Sequence, residues 1–342
     1  MEVSFVKKIL GRHETNLALI LIVLSVVVSL INPAYFSTAN LFKILKSSVE
    51  MGIFAIAFLI ILILGGIDMS FPAIASASMY ITIKLLISGN SEVPLIVPFL
   101  IAMAIGAALG ALNGVFIGIM GLPTLIVTLG TMSIIKGALL VFVGKNWITQ
   151  LPNVLIEFSR SNLLASVGDT GESIGLHSSV IILLVVALIV WALLRYTWFG
   201  RSIYAIGTNQ IAAERDGIAC KKTKFIACIL SGVLAALAGL IHCSLVRVAN
   251  PFDIFGTELN VIAAVVLGGA SLTGGAGTVG GTLLGVFLIN IINNSLILMG
   301  IHSYWQKFVV GLIVILSTVF TANRDALRQM LRRNVTSSME TT

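Results

Sequence analysis

The sequence predicts an all-α integral membrane protein of about ten transmembrane helices. Three observations predict it: little charge, an excess of apolar residues, and apolar runs that are long and continuous. Only 10% of the 342 residues are charged and 58% are hydrophobic, whereas a soluble domain carries roughly 25% charged residues. Lipid is therefore the solvent for most of the chain. Stretches such as LALILIVLSVVVSLI and FAIAFLIILIL lack the alternation that a barrel strand of about 10 residues requires. Scarce charge excludes intrinsic disorder, and three cysteines in so long a chain exclude a disulfide scaffold.

A membrane-spanning helix needs about 20 mostly apolar residues. Ten segments qualify in order: 17–31, 48–65, 71–88, 94–118, 124–143, 178–194, 223–243, 258–270, 277–298 and 304–321. The eighth is short, and with the glycine-rich stretch after it reads as a broken or re-entrant segment, which membrane depth tolerates only under a protein or water-lined cover. The apolar run from Leu17, preceded by Lys7, Lys8 and Arg12, is too long for a signal peptide and reads as an uncleaved first helix.

An even number of spans puts both termini on one side. The N-terminal segment, the loop 195–224 and the C-terminal segment (Arg324, Arg328, Arg332, Arg333) carry 3, 6 and 4 of the 21 basic residues. All three fall on one face in a ten-span chain, and the positive-inside rule makes that face cytoplasmic. The net charge of +7 is thus a topology signal and not a nucleic-acid footprint. Residues 1–342 read as a single transmembrane domain, with 195–224 as a cytoplasmic loop within it.

Gly106, Gly110, Gly114 and Gly118 recur every four residues and form one small-residue helix face, which lets a neighbouring backbone approach closely. Gly277, Gly281 and Gly285 repeat the spacing. The run LGGASLTGGAGTVGGTLLG at 267–285, which includes Gly268 and Gly269, contains no GxxxxGK[ST], so a Walker phosphate loop is excluded. It reads as a flexible turn opening a tightly packed helix.

Polar groups in lipid are expensive and call for a role. Asp68, followed by Ser70 and Pro72, is expected to cap and lock the turn between the second and third spans. Lys136, within the fifth span, is expected to snorkel or to pair with an acid. Asn113, Asn290 and Asn294 suit interhelical hydrogen bonding, and as uncharged amides they are the candidates for lining a passage for a neutral hydroxylated solute. The histidines at 13, 177, 242 and 302 show no HExxH and no acid at triad-like spacing, so neither metal nor hydrolytic chemistry is expected. The acids fall near predicted span ends, which argues against an ion-coupled secondary transporter.

The most informative hydrophilic segment is FGRSIYAIGTNQIAAERDGIACKKTKF at 199–225. Within it NQIAAERDG at 209–217 reads as a short helix of mixed charge, in which the pair Ala212-Ala213 precedes Glu214, Arg215 and Asp216 and Gly217 ends the helix. A small-residue face on a solvated loop is the signature expected of a docking helix.

The elements GGIDMS at 65–70, NGVFIG at 113–118, GLPTLIVTLGTM at 121–132, FGRSIYAIGTNQIAAERDGI at 199–218 and ELNVIAAVVLGGASLTGGAGTVGGTLLG at 258–285 resemble, in order, the permease subunits of bacterial ABC importers for ribose and related sugars. The resemblance covers the chain from the second span to the ninth. Phe71-Pro72 stand where that family usually has Val-Gly. The segment GKNWITQLP at 144–152 and Trp305 are closer to the autoinducer-2 branch. The resemblance implies a type II-like permease bundle in the bacterial inner membrane that carries a small neutral sugar or sugar-like solute, with nucleosides or branched-chain amino acids as other cargoes of the family. It implies a second permease protomer (the same chain or a paralogue), two ATP-binding subunits and an extracytoplasmic solute-binding protein. ATP and magnesium would be held by the partner ATPase, with no cofactor or metal on this chain. Residues 209–217 match the place of the family's coupling helix, which assigns Asn209, Ala212, Ala213, Glu214, Arg215 and Gly217 to contact with the ATPase.

Overall fold

A computed structural model describes residues 13–89, 93–167 and 173–302, together with 305–309, 311, 312 and 315. Among the described residues, seven helices are long and apolar enough to cross a membrane, and two shorter apolar helices accompany them. Nine of the ten predicted spans are thus helical. The tenth, 304–321, lies largely outside the described residues, as do the basic clusters at Lys7, Lys8 and Arg12 and at Arg324, Arg328, Arg332 and Arg333.

In chain order the helices are α1 (His13–Ile31), α2 (Thr38–Ile63), α3 (Phe71–Ser88), α4 (Ile96–Gly114), α5 (Thr124–Ala138), α6 (Asn153–Arg160), α7 (Ser179–Tyr196), α8 (Trp198–Thr208), α9 (Gln210–Arg215), α10 (Cys220–Val246), α11 (Glu258–Leu267) and α12 (Val279–Leu298). Single wider π turns extend α4 over Val115–Ile119 and α5 over Leu139–Val143. One antiparallel hairpin, β1 (Asn162–Val167) with β2 (Ser173–His177), follows α6. The helices α2, α3 and α10 are buried over most of their length, while α4, α5 and α7 turn much of their apolar surface outward, as helices facing lipid do.

The structure departs from the predicted boundaries in four places. The second span begins at Thr38 and not at 48, because the Ser37 hydroxyl accepts the Asn40 amide at 3.3 Å and caps a helix whose first turns bury Asn40, Ile44 and Ser48. At 26 residues that helix is about 39 Å long, and Glu50 stands near its middle. The eighth span is the 10-residue α11, about 15 Å or half a bilayer core. Ahead of it, residues 247–257 run without helical backbone and bury Ala249 and Ile254 completely, so the irregular chain is covered by protein. The loop 195–224 holds two helices, α8 and α9, where one was expected. The ninth span starts at Val279, which leaves Gly277 outside the helix and off the face of Gly281 and Gly285.

The chain reverses at each crossing, which sorts the connections onto two ends. One end carries α8, α9, the turn 64–70 and the glycine-rich loop 268–278. The opposite end carries α6, the hairpin and residues 247–257.

Candidate functional site

The segment α8–α9 is built by caps. The Thr197 hydroxyl accepts the Gly200 amide at 3.0 Å, and the Asn209 carboxamide oxygen accepts the Ala212 amide at 3.1 Å. The segment ends where the Ile218 amide reaches back to the Ala213 carbonyl at 3.0 Å and Gly217 takes φ +80°, a left-handed terminus that favours glycine. Gln210 donates to Glu214 at 2.8 Å and accepts from Lys224 of α10 at 2.7 Å. The expected Ala212-Ala213 face is divided by the fold. Ala213 is buried against Ile206 and Cys220 with Leu64 beside them, because one of two adjacent helical residues must turn inward on so short a helix. Ala212, Glu214 and Arg215 are exposed, and so is Ile211 at 65%. Ile211 was missed in the sequence, although its place between two polar neighbours and an alanine pair was the available signal.

Beneath this segment three backbones meet. The Gly275 amide donates to the Ile63 carbonyl at 2.8 Å, which joins the loop 268–278 to the last turn of α2. A methyl group on Gly207 of α8 would overlap that same carbonyl, and one on Gly274 would lie 2.7 Å from Gly65 Cα and 3.0 Å from the Gly207 carbonyl. Tyr204 donates its hydroxyl to the Gly277 carbonyl at 2.7 Å, and burial pushes its phenol above the ordinary range. The glycine-rich loop is therefore a wedged junction and not a flexible turn. Next to it, Gly268 ends α11 in contact with the Gly281 carbonyl, and Gly285 meets the Ala264 carbonyl. Gly269 adopts φ +89° and turns the chain into the loop.

The glycine face of α4 seats against α10. Methyl groups on Gly106 and Gly110 would overlap the carbonyls of Gly232 and Cys228, one on Gly114 would lie 2.8 Å from the Phe225 ring, and one on Gly118 would lie 2.8 Å from the Lys221 carbonyl. Gly232 answers from α10, so the close approach is mutual.

Between these seams lies a buried polar network. One Asp68 oxygen accepts from the Ser70 amide at 2.8 Å and from the Ser70 hydroxyl at 2.6 Å. The other accepts from Ser231 of α10 at 3.2 Å. Asn113 of α4 donates to Ser70 at 2.8 Å, and Thr128 of α5 accepts from the Met69 amide at 3.1 Å. Burial pushes the Asp68 carboxyl above the usual carboxylate range, and the bonds from Ser70 and Ser231 pull it back down. Asn113 thus faces a helix junction, where its own carbonyl oxygen is buried without a partner. Asn290 donates to Ser48 at 3.2 Å and Asn294 to Asn40 at 2.8 Å, both fastening α12 to α2. Lys136 pairs with no acid among the described residues; its ammonium stands 4.7 Å over the Phe255 ring.

At the hairpin end, one cluster was not foreseen. His242 of α10 places Nδ1 2.7 Å from Glu50 Oε2 and Nε2 3.0 Å from Asp253 Oδ2. Of the scattered histidines, His242 alone stands in a carboxylate–imidazole–carboxylate line among the described residues, and Glu50 lies well inside a helix and not at a span end. The partners are separated by 192 and 11 residues along the chain, distances at which periodicity carries no information. Among the described residues, no cluster of three or more His, Cys, Asp or Glu is disposed to hold a metal ion. Cys220, Cys228 and Cys243 are free thiols.

Residues 40–318 match the family model described as the branched-chain amino acid transport system permease component. This chain belongs to that family. The permease is 36% identical over 306 residues to the ribose import permease protein RbsC of Bacillus subtilis (strain 168), covering 90% of this chain and 92% of that one. It is also 36% identical over 316 residues to the probable ABC transporter permease protein YphD of Escherichia coli (strain K12), covering 92% and 91%. The autoinducer 2 import system permease protein LsrC of Enterobacter sp. (strain 638) is 33% identical over 328 residues, covering 96% and 91%. No solved structure matches the permease. The chain is accordingly a multi-pass membrane transport component, consistent with the seven long apolar helices among its described residues.

Proposed function

We propose that this chain is the membrane-spanning subunit of an ATP-driven importer that carries a small neutral sugar or sugar-like solute across the bacterial inner membrane, with both termini cytoplasmic. The observation that carries the reading is near end-to-end similarity to permeases named for ribose and autoinducer-2 import, in a chain with no nucleotide-binding motif. Energy then comes from ATP hydrolysed on partner subunits, and solute arrives from an extracytoplasmic binding protein. A second permease protomer completes the pathway.

In this reading the end bearing α8 and α9 is cytoplasmic, and α9 is the surface the ATPase grips. Ile211 and Ala212 supply the apolar contact, flanked by Glu214 and Arg215. Asn209 and Gly217 set the two ends of the helix, while Ala213 anchors it inward. The Ile63–Gly275–Gly207 junction supports the transmission of force, since backbones in contact move together. Ground-state bonds of Asn290 and Asn294 favour a packing role over contact with solute. Exchange of either for leucine is expected to lower the melting temperature and leave the solute dependence of uptake unchanged; altered solute preference would put them on the pathway.

The deciding experiment is uptake of labelled ribose into proteoliposomes holding the chain with its ATP-binding and solute-binding partners. Uptake is expected only with internal ATP and all partners present. Accumulation driven by a proton or sodium gradient without ATP, or by this chain alone, would overturn the proposal.

A further inference from the structure

The cluster at the hairpin end has a geometry that the packing of the helices does not require. Both ring nitrogens of His242 face carboxylate oxygens, and ionised carboxylates only accept hydrogen bonds. The ring thus bridges the two carboxyl groups, one at each nitrogen. Its partners belong to separate elements: Glu50 to α2, Asp253 to the irregular segment 247–257, and His242 itself to α10.

Segment 247–257 has no helical backbone, and Ala249 and Ile254 seat it in the core. Its polar ties to the other elements are a two-bond bridge between Ala249 and Ile148 (2.9 and 3.1 Å), Arg247 donating to Ser159 at 2.8 Å, the Lys136 ammonium over Phe255, and the His242–Asp253 pair. It also fills the half of a crossing that α11 leaves empty. The pair is not sealed from water, since the side chains of His242 and Asp253 are 14% and 24% exposed. A fully buried ion pair acts as a permanent staple, because separating it strands a charge in apolar surroundings. A pair with access to water can part and rehydrate at modest cost.

We infer that Glu50, His242 and Asp253 form a charge latch that holds segment 247–257 against α2 and α10 and must release for the hairpin end of the bundle to open. This rests on the transport reading above, in which that end faces outward and opens to the solute-binding protein. His242 is a positioning residue: it acts by where it holds Asp253, and the Glu50 contact keeps the ring oriented when Asp253 leaves.

The test uses the full assembly in proteoliposomes. Wild-type ATP-dependent uptake is measured first, so a failure of the transport reading shows separately from a failure of the latch. Asp253→Asn and His242→Gln are then compared for basal ATPase activity, for stimulation by the binding protein, and for melting temperature. A released latch raises basal ATPase several-fold and shrinks the stimulation, with the melting temperature near wild type for Asp253→Asn, which lies on an irregular segment with an exposed side chain. Asp253→Glu restores the wild-type pattern. Unchanged basal and stimulated ATPase in both variants overturns the latch, and so does a proportional loss of both activities that tracks loss of folded protein.

Discussion

At the end that carries α8 and α9, glycines bring backbones into direct contact; at the hairpin end, charged and polar side chains bridge the elements. The first end joins α2, α8 and the loop 268–278 through Ile63, Gly207, Gly274 and Gly275. The second joins α2, α10 and residues 247–257 through Glu50, His242 and Asp253, aided by Arg247 on Ser159 and Lys84 on the Val143 carbonyl. Backbone contacts cannot be undone by rotating a side chain, so the first end moves as one body. Side-chain bridges part and reform by rotamer changes, and beside them the second end keeps one backbone tie, the two bonds between Ala249 and Ile148.

The sharpest way to break the comparison is Gly207→Val. Its side chain would enter the Ile63 carbonyl with backbone on both sides, and the expected cost exceeds about 4 kcal/mol, read as loss of folded protein after detergent extraction. A well-folded Gly207→Val variant would show that the junction yields. Gly110→Leu tests the α4–α10 seam in the same way, with an expected loss of about 3 kcal/mol measured by thermal melting. Asp68→Ala leaves the Ser70 and Ser231 donors unanswered and is expected to cost about 2 kcal/mol, whereas Asp68→Asn, which keeps an acceptor and removes the buried charge, costs less than about 1 kcal/mol. An equal effect of the two would place the charge, and not the hydrogen bonds, at the centre of the network. A comparably small effect is expected from Gly217→Ala, where nothing lies within reach of the added methyl and only the left-handed backbone resists, by about 1 kcal/mol. A larger loss of ATP-driven uptake with that small loss of stability would mark Gly217 as part of the docking surface.

Much of the fold was legible because lipid imposes a simple code. Continuous apolar runs located nine of the described helices, and the four-residue glycine period on α4 announced a seam without naming α10 as its partner. The short helix α9 was legible through Gly217, whose terminating chemistry is local. The inward turn of Ala213 was not, because adjacent small residues look alike until the rest of the bundle chooses a side. Nor was the start of α2, where Lys43 and Lys46 hide a helix that Asn40 and Ile44 continue into the core. The hairpin of β1 and β2, two short strands in a polar loop, gave no signal above its surroundings.

The sequence by itself determined the solvent, the places of nine apolar helices and the glycine that ends α9, since each depends on neighbours close along the chain. Only the tertiary structure decided which glycines meet, that Gly274 and Gly275 lock onto α2, and that Glu50 and Asp253 converge on His242. Those outcomes depend on how separate helices pack, and packing is settled by shape and by the need to satisfy buried charge across hundreds of residues, which no local pattern encodes.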